Sequence, residues 1–342
     1  MSDSKRVKLD NTGTETAMAK IICTHSGSFH ADEALAVYML KLLPEYSDAE
    51  VVRSRNAEDW ERSDIVVDVS GKYDGKKFFD HHQREFMETF NADFKTKLSS
   101  AGLVYKHFGT DIIKSILHDV ALTEGDLRVL YVKGYKQFIE SLDANDNGIS
   151  KYDVDELNVK PRFSDTNISI PGVISAFNPA WNGDCSAAKF DEQFFKASDF
   201  IGKIFVNLIT GYGKSWLPAK TLVRDAINDR LSVDPSGKIV ILRQFCPWKE
   251  HLFDVEKELD LQGQIQFVLF EDSAGSWRVS TVPVVANSYK FRRGLPEPLR
   301  GLRDDVLSEK ANIPGCVFIH AAGFIGGNAN EAGALKMAQI SL

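Results

Sequence analysis

The stretch Lys77-Phe78-Phe79-Asp80-His81-His82 is a short apolar run that ends in one carboxylate and two histidines. An apolar run of this length between polar residues is typical of a buried strand. Side chains that follow such a strand lie at its carboxyl end, where α/β sheets bind their ligands. The sequence therefore predicts a polar site at the end of this strand.

Two further apolar runs end in side chains of the same kinds. The run at 20–24 leads to His25, His30 and Asp32, and the run at 65–67 leads to Asp68. Helical patterns separate these runs, and strands that alternate with helices predict a mainly parallel, doubly wound α/β sheet. Because parallel strands end at one edge of their sheet, we expect these side chains to converge.

Length and composition predict two domains. The chain has 342 residues and is 43% hydrophobic, which suffices for two cores at about 150 residues per domain. We expect residues 1–17 to be a disordered tail, residues 18–235 to be a metal-binding catalytic domain with a helical extension, and residues 236–342 to be a smaller α/β domain that binds substrate. The boundary near 235 rests on the turn sequence Asp-Pro-Ser-Gly at 234–237, after which strand patterns replace helical ones.

Charge and cysteine usage narrow the class of protein. The net charge is -7, so binding to nucleic acid would need a local basic patch. The four cysteines form no paired motif, which argues against a structural zinc site. No run is long and apolar enough to cross a bilayer, and residues 1–17 lack the apolar centre of a secretory signal. We therefore expect a cytoplasmic and nuclear protein without membrane contact, and a basic cluster at 5–8 resembles a nuclear-import signal.

Carboxylates and imidazoles at several strand ends are the ligands that a pair of divalent cations requires. We expect Asp68 to bridge the ions, because it ends a central strand. The expected ligands are His25, His30 and Asp68 for one ion, and Asp32, Asp68, His81 and Asp143 for the other. We expect Asp68, Asp80 and His82 to act in catalysis. Asp80 would accept a proton from a metal-ligating histidine and so fix its tautomer, and His82 would then be free to face a substrate phosphate. Each residue alone has a structural alternative, such as a helix cap, so the prediction rests on their number.

Two segments near the carboxyl terminus contain side chains that suit a nucleic-acid substrate. Basic and aromatic side chains are mixed at 289–293, which includes Arg292 and Arg293. This mixture is typical of proteins that bind phosphates and stack aromatic rings on nucleobases. An apolar run at 317–319 leads to His320 and to glycines that include Gly323, and glycine allows close approach of a phosphate or sugar. We expect these four residues to bind substrate. A solvated loop and a packing turn are the alternatives.

The longer motifs resemble those of a known family. They are HSGSFHADEALA (25–36), DHHQREF (80–86), DANDNGIS (143–150), LPEPLRGLRD (295–304) and FIHAAGFIGG (318–327). They are similar to the MYG1 family, within the DHH phosphoesterase superfamily. The resemblance implies a DHH-type catalytic domain and a manganese- or magnesium-dependent 3′→5′ RNA exonuclease in nuclear and mitochondrial RNA processing. At His30 the chain departs from the superfamily, which has an aspartate there, so we expect Mn²⁺ to be preferred over Mg²⁺ because imidazole is the softer donor.

These observations predict a two-metal phosphodiesterase whose partner is the 3′ end of single-stranded RNA. Two alternatives stay open. One is hydrolysis of a small phosphate compound, such as pyrophosphate, a cyclic nucleotide or a very short oligonucleotide, because the same metal centre would serve. The other is an RNA- or protein-binding regulator without turnover, which the substitution of histidine at position 30 favours.

Overall fold

The computed structural model describes residues 7–9, 15–17, 19–152, 157, 158, 160, 162–286 and 288–342. Two short strands, β1 (Val7–Leu9) and β2 (Glu15–Ala17), pair antiparallel within the predicted tail. The other residues of the tail, and with them Lys5 and Arg6 of the basic cluster, lie outside the described residues. Disorder of the tail outside these strands stays a prediction.

The chain divides into two compact units, residues 1–211 and 212–342. The predicted boundary near 235 lies inside the second unit. The reason is the helix Leu217–Asn228, whose Val223 and Ile227 belong to the same core cluster as Val240 and Leu252 of the following elements. This helix therefore packs with the strands that follow it in sequence.

The first unit is built on a four-stranded parallel sheet. Its further elements are β3 (Ile21–Thr24), α1 (Ala31–Lys41), β4 (Glu50–Arg53), α2 (Ala57–Arg62), β5 (Ile65–Val67), β6 (Phe78–Phe79), α3 (Ser100–Ile116), α4 (Glu124–Gly134), α5 (Glu140–Asp146), α6 (Ile170–Ser175) and α7 (Ala187–Gly211). The strand order is β4-β3-β5-β6, and every pair is parallel. The predicted α/β fold with a parallel sheet is confirmed.

Helix α1 is almost entirely buried and packs against α3 and α7. A helix that is apolar on all sides belongs in the interior of a protein. Helix α7 comes very close to it at Gly202, where an added Cβ would lie 2.1 Å from Cγ of Tyr38. Glycine is therefore required at this helix contact.

The second unit contains a mixed five-stranded sheet, as expected for a smaller α/β domain. Its elements are α8 (Leu217–Asn228), α9 (Arg230–Val233), β7 (Ile239–Leu242), α10 (Lys249–Glu258), β8 (Phe267–Glu271), β9 (Trp277–Thr281), α11 (Asp304–Ala311), β10 (Cys316–Ile319), β11 (Ile325–Asn328) and α12 (Glu331–Gln339). The order is β10-β11-β9-β8-β7, in which β7 and β8 alone among these neighbours are parallel. Within the described part of the chain, no helix has the length and apolar character needed to span a membrane.

Candidate metal centre

Polar side chains follow three neighbouring strands of the parallel sheet at their carboxyl ends. His25 follows β3, Asp68 follows β5 and His81 comes shortly after β6. Nε2 of His25 lies 3.6 Å from Oδ2 of Asp68, and Nε2 of His81 lies 3.5 Å from Oδ1 of Asp68. The structure thus brings these side chains together, and Asp68 lies between the two histidines with one carboxylate oxygen toward each.

The backbone of Asp68 has a conformation that few residues adopt. Its φ is 56°, in the left-handed region that costs about 1–2 kcal/mol for most residues and that aspartate tolerates comparatively well. The amide of Asp68 still donates to the carbonyl of Phe79 at 3.2 Å, so the pairing between β5 and β6 continues to this residue. Unusual backbone conformations of this kind cluster at functional sites.

The loop between β3 and α1 brings His25 and His30 close to Asp68, and the first turn of α1 adds Glu33. Both carboxylate oxygens of Glu33 accept from the amide of His30, at 2.9 and 3.1 Å, so Glu33 caps α1 as expected of an acidic residue in a first turn. Oε1 of Glu33 also lies 3.0 Å from Nε2 of His25. Glu33 is therefore both a helix cap and a member of the polar cluster.

A side chain from far along the chain fixes this loop. The amide group of Asn178 accepts from the backbone N–H of Phe29 at 3.0 Å and donates to the carbonyl of Phe29 at 2.9 Å. Both backbone groups of Phe29 are thereby satisfied by one residue. The loop that contains His25 and His30 is held in place by this pair of hydrogen bonds.

Three groups of side chains have ligand atoms that lie within 4.8 Å of one another in the described part of the chain. The groups are His25, His30, Glu33 and Asp68; Asp68, His81 and His82; and Asp32, His81 and Asp146. The groups share Asp68 and His81, so they form one continuous cluster. Sequence reasoning missed Glu33, which lies in the first turn of α1, and Asp146, which lies three residues after the predicted Asp143.

Asp143 lies beside this cluster but joins none of the three groups. Its Oδ1 accepts from the amide of Ser99 at 3.0 Å and from Oγ of Ser99 at 2.7 Å, and its Oδ2 accepts from the hydroxyl of Tyr135 at 2.8 Å. Oδ2 of Asp146 instead lies 2.9 Å from Nε2 of His81. The geometry therefore favours Asp146 as the ligand that the sequence analysis assigned to Asp143.

Asp32 is a residue of α1, and its carboxylate lies at the amino terminus of helix α3. Its two oxygens accept from the amides of Ser100 and Ala101, at 3.0 and 2.6 Å, and from Oγ of Ser99 at 2.6 Å. A helix amino terminus stabilises negative charge. Burial nevertheless raises the pKa of Asp32, and the carboxylates of Asp146 and Asp68 raise it further. A nearby cation would relieve this concentration of negative charge.

The hydroxyl of Ser99 has one proton but lies within hydrogen-bond distance of two carboxyl groups, those of Asp32 and Asp143. One of these carboxyl groups must therefore hold a proton if both contacts are hydrogen bonds. Burial raises the pKa of Asp143 to about 7. Helix α3 admits Asp143 only because residue 102 is glycine, where an added Cβ would lie 2.2 Å from Oδ1 of Asp143.

The surroundings of the buried side chains of His25 and His81 indicate whether a cation fits the cluster. Burial would lower the pKa of His25, but the carboxylates of Asp68 and Glu33 outweigh it and raise that pKa to about 10. Burial likewise opposes the charged form of His81, but Asp146 and Asp68 raise its pKa to about 10. Nε2 of both rings is buried without a well-aligned hydrogen bond. Imidazole nitrogens and carboxylate oxygens that lie close together without such bonds suit a shared cation, and the cluster could hold metal ions.

Asp80 contacts His82, whereas the sequence analysis expected it to orient a metal-ligating histidine. Its Oδ1 lies 2.7 Å from Nδ1 of His82, and its Oδ2 accepts from the amide of Gly71 at 2.7 Å. The ring of His82 is 63% exposed, while its Nδ1 lies 3.6 Å from Oδ1 of Asp68. Since Nδ1 is engaged by Asp80, Nε2 of His82 is the nitrogen left for a ligand.

A cavity of about 450 Å³ opens onto the cluster. Its polar wall includes His25, His30, Asp32, Asp68, His82, Asp146 and Arg55, and its other lining residues include Phe29, Leu142 and Pro171. Cavities of this size, with convergent polar groups and an apolar wall, are typical of small-molecule sites. The imidazole of His30 is 64% exposed, so it can be reached from solvent.

Two of the residues predicted to bind substrate are engaged within the second unit. The guanidinium of Arg292 donates to both oxygens of Glu256, at 2.6 and 2.7 Å, and to the carbonyl of Ile265 at 2.8 Å. Only 9% of its side chain is exposed, so the predicted phosphate-binding role does not fit Arg292. Arg293 is exposed, and its Nε donates to the carbonyl of Ser341.

His320 and Gly323 lie in the turn between β10 and β11. The amide of Gly323 donates to the carbonyl of His320 at 2.8 Å, and Gly323 has a φ of 74°. The space above this glycine is filled, because an added Cβ would lie 2.4 Å from Nε of Arg300. Gly323 is therefore explained by the turn and by Arg300 instead of by a ligand. His320 is exposed and packs on Phe324, with 4.6 Å between ring centroids.

Comparisons with known proteins agree with the motif resemblance. The family model MYG1_exonuc, described as "Uncharacterised protein family (UPF0160)", matches residues 21–342. The MYG1 protein YER156C of Saccharomyces cerevisiae is 62% identical over 343 residues, which cover 100% of both chains. The MYG1 protein C694.04c of Schizosaccharomyces pombe is 51% identical over 94% of this chain and 97% of its own. A human protein named MYG1 exonuclease is 45% identical over 94% of this chain and 85% of its own.

Proposed function

Because the chain belongs to the MYG1 family, we propose that it is a metal-dependent phosphodiesterase that removes nucleotides from the 3′ end of single-stranded RNA. The name exonuclease, which mammalian relatives bear, supports a nuclease. The observation that carries the proposal is the position of Asp68, whose carboxylate belongs to two groups of ligand atoms and lies between the buried Nε2 atoms of His25 and His81. One carboxylate shared by two groups of ligands is the arrangement that a pair of cations needs.

The proposed ligands differ from the sequence prediction at two positions. They are His25, His30, Glu33 and Asp68 for one cation. For the other they are Asp32, Asp68, His81 and Asp146, a set drawn from the two groups that share His81. Divalent cations at such a site lower the pKa of a coordinated water and stabilise charge on phosphoryl oxygens. The three imidazoles among these ligands favour Mn²⁺ over Mg²⁺.

His82 and Asp80 supply a second element of the proposed chemistry. The carboxylate of Asp80 engages Nδ1 of His82, and a carboxylate in this position orients the ring and sets its tautomer. In its protonated form, His82 would donate the Nε2 proton to the oxygen that leaves when the phosphodiester bond breaks, and so act as the general acid. His82 is more than half exposed and lines the cavity, so a substrate can reach it.

Hydrolysis assays with the purified full chain test this proposal. With Mn²⁺ and a 5′-labelled single-stranded RNA, we expect a ladder of products that shorten from the 3′ end. Asp68→Asn should abolish the ladder, whereas Asp48→Asn, a change at an exposed residue outside the cluster, should leave it unchanged. Release of phosphate from pyrophosphate without RNA cleavage would favour a small substrate, and absence of any hydrolysis would contradict the proposal.

A further inference from the structure

We infer that Arg55 binds the substrate phosphate next to the one that is cleaved, and so makes the site select an oligonucleotide over a small phosphodiester. This inference rests on the proposed function. Sequence reasoning did not single out Arg55, because one arginine in a polar loop carries no distinctive pattern. The structure places it at the mouth of the cavity that contains the metal-ligand candidates.

The position of Arg55 follows from the sheet. It comes two residues after β4, so the carboxyl end of this strand contributes a cation at the edge where β3 and β5 contribute His25 and Asp68. Nε of Arg55 donates to the carbonyl of Ser26 at 3.3 Å, and its Nη2 lies 3.3 Å from Nδ1 of His25. These two contacts hold the guanidinium beside the first ligand of the site while the residue remains exposed.

The neighbouring Arg53 provides a contrast. Its side chain is 1% exposed, donates to Asp191 at 2.9 Å and to the carbonyl of Gly27 at 2.6 Å, and lies over the ring of Phe194. Arg53 therefore has a structural role. Arg55 has no carboxylate within ion-pair distance in the part of the chain that the structure describes, although carboxylates line the same cavity. Its charge thus has no anionic partner there.

The tautomer of His25 strengthens the argument. A histidine that binds a metal through Nε2 has its proton on Nδ1 and usually donates it to a backbone carbonyl. The carbonyl of Ser26 lies 3.4 Å from Nδ1 of His25 and suits that role. With a proton on Nδ1, which the protonated ring of the metal-free chain also carries, His25 does not accept from Nη2 of Arg55. Nη2 of Arg55 is therefore available to a ligand at the cavity mouth whether or not the site is loaded.

The chemistry of the guanidinium indicates the ligand. Its planar donors match two oxygens of one phosphate, and arginine is favoured where phosphate is recognised in this way. The cations that the cluster would hold would bind the phosphate to be cleaved, so Arg55 would contact an adjacent one. A substrate with at least two successive phosphodiesters gains from this contact, and a lone diester does not.

Binding and cleavage by Arg55→Gln test the inference. With Ca²⁺ in place of Mn²⁺, and with cleavage checked to be absent, we expect R55Q to bind a fluorescent single-stranded RNA about tenfold more weakly than wild type. The slope of log affinity against log salt should become shallower by about 0.7, the value for one phosphate on a single strand. With Mn²⁺ and subsaturating substrate, R55Q should lose about tenfold more activity on RNA than on bis-p-nitrophenyl phosphate. Arg128→Gln is the matched control, because Arg128 is exposed and does not line the cavity.

Each result decides between the two proposals. Equal RNA affinity of R55Q and wild type overturns the role of Arg55, and so does an equal loss of activity on both substrates, which would mean that R55Q damages the metal site. Failure of wild type to hydrolyse either substrate overturns the proposed function, whatever the binding data show. A wild-type chain that binds no RNA overturns both.

Discussion

Asp143 and Asp146 show at the scale of single residues how similar side chains take different places. Both lie on helix α5, yet Asp146 approaches His81 and Asp143 approaches Ser99 and Tyr135. The spacing of the sequence makes both plausible, because three residues are nearly one helical turn. Which one faces the cluster depends on the rotation of α5 against the sheet, and that rotation is set by packing that the local pattern does not contain.

Conservative variants of these two residues should therefore behave differently. Asp143→Asn should retain Mn²⁺ affinity within about threefold, because Asp143 joins none of the three ligand groups and the amide oxygen can still accept from the backbone N–H of Ser99. Asp146→Asn should weaken Mn²⁺ binding by about tenfold or more, since a charged ligand is lost. Calorimetric titration of the purified variants measures both. A larger loss in D143N than in D146N would restore Asp143 as the ligand.

Arginines show the limit of residue-level prediction from sequence. Arg292 and Arg55 both lie in polar, basic segments. The guanidinium of Arg292 forms a buried ion pair with Glu256, whereas Arg55 lines the cavity. The partner of Arg292 lies 36 positions earlier in the chain. Pairing over such distances follows from tertiary packing. By contrast, His25, Asp68 and His81 could be predicted, because a strand end fixes where the next residue lies.

At the scale of elements, apolar runs predicted β3, β5, β6 and β10, and glycine explains why β11 was not predicted as a strand. Strand β11 contains Gly326 and Gly327, which have low strand propensity. They are needed nonetheless, since a Cβ at Gly326 would lie 3.0 Å from the side chain of Leu295. The segment was interpreted as a ligand-binding loop because its glycines signal close approach, and the groups that approach are other parts of the same unit.

The contact of α1 with α7 yields an element-scale prediction. Gly202→Ala should lower the free energy of unfolding by about 1–3 kcal/mol, because the new methyl group would overlap the ring of Tyr38 and push the helices apart. Gly211→Ala, at the end of the same helix, meets nothing within 4 Å and should be neutral or raise stability by up to about 1 kcal/mol. Urea unfolding followed by circular dichroism compares them. Equal midpoints would contradict the close contact.

At the scale of the whole molecule, metal binding should be linked to pH. The pKa values of His25 and His81 are raised to about 10, so both imidazoles are protonated at neutral pH in the metal-free protein. A metal needs neutral imidazole, so binding must release these protons, and affinity should rise as pH increases toward 10. Calorimetry in buffers of different ionisation enthalpy should detect release of at least two protons per chain when both sites fill. His118→Gln, at an exposed residue outside the cluster, should leave this number unchanged.

The same shifts predict how the metal-free protein responds to alkali. A histidine whose folded pKa exceeds its ordinary 6.5 stabilises the fold fully below pH 6.5, and this contribution is lost as pH rises through about 10. The metal-free chain should therefore melt at lower temperature as pH rises through this window, and added Mn²⁺ should reverse the loss. A melting temperature that is independent of pH in this range, with or without metal, would contradict the buried acidic cluster.

The hydrogen bonds between Asn178 and Phe29 join positions that are 149 residues apart. During synthesis the amino-terminal part of a chain leaves the ribosome first. The loop from His25 to Asp32 therefore emerges long before the residue that fixes its backbone. A nascent chain has the ligands but lacks the hydrogen bonds that order them, so tight capture of a cation is delayed until translation has passed residue 178.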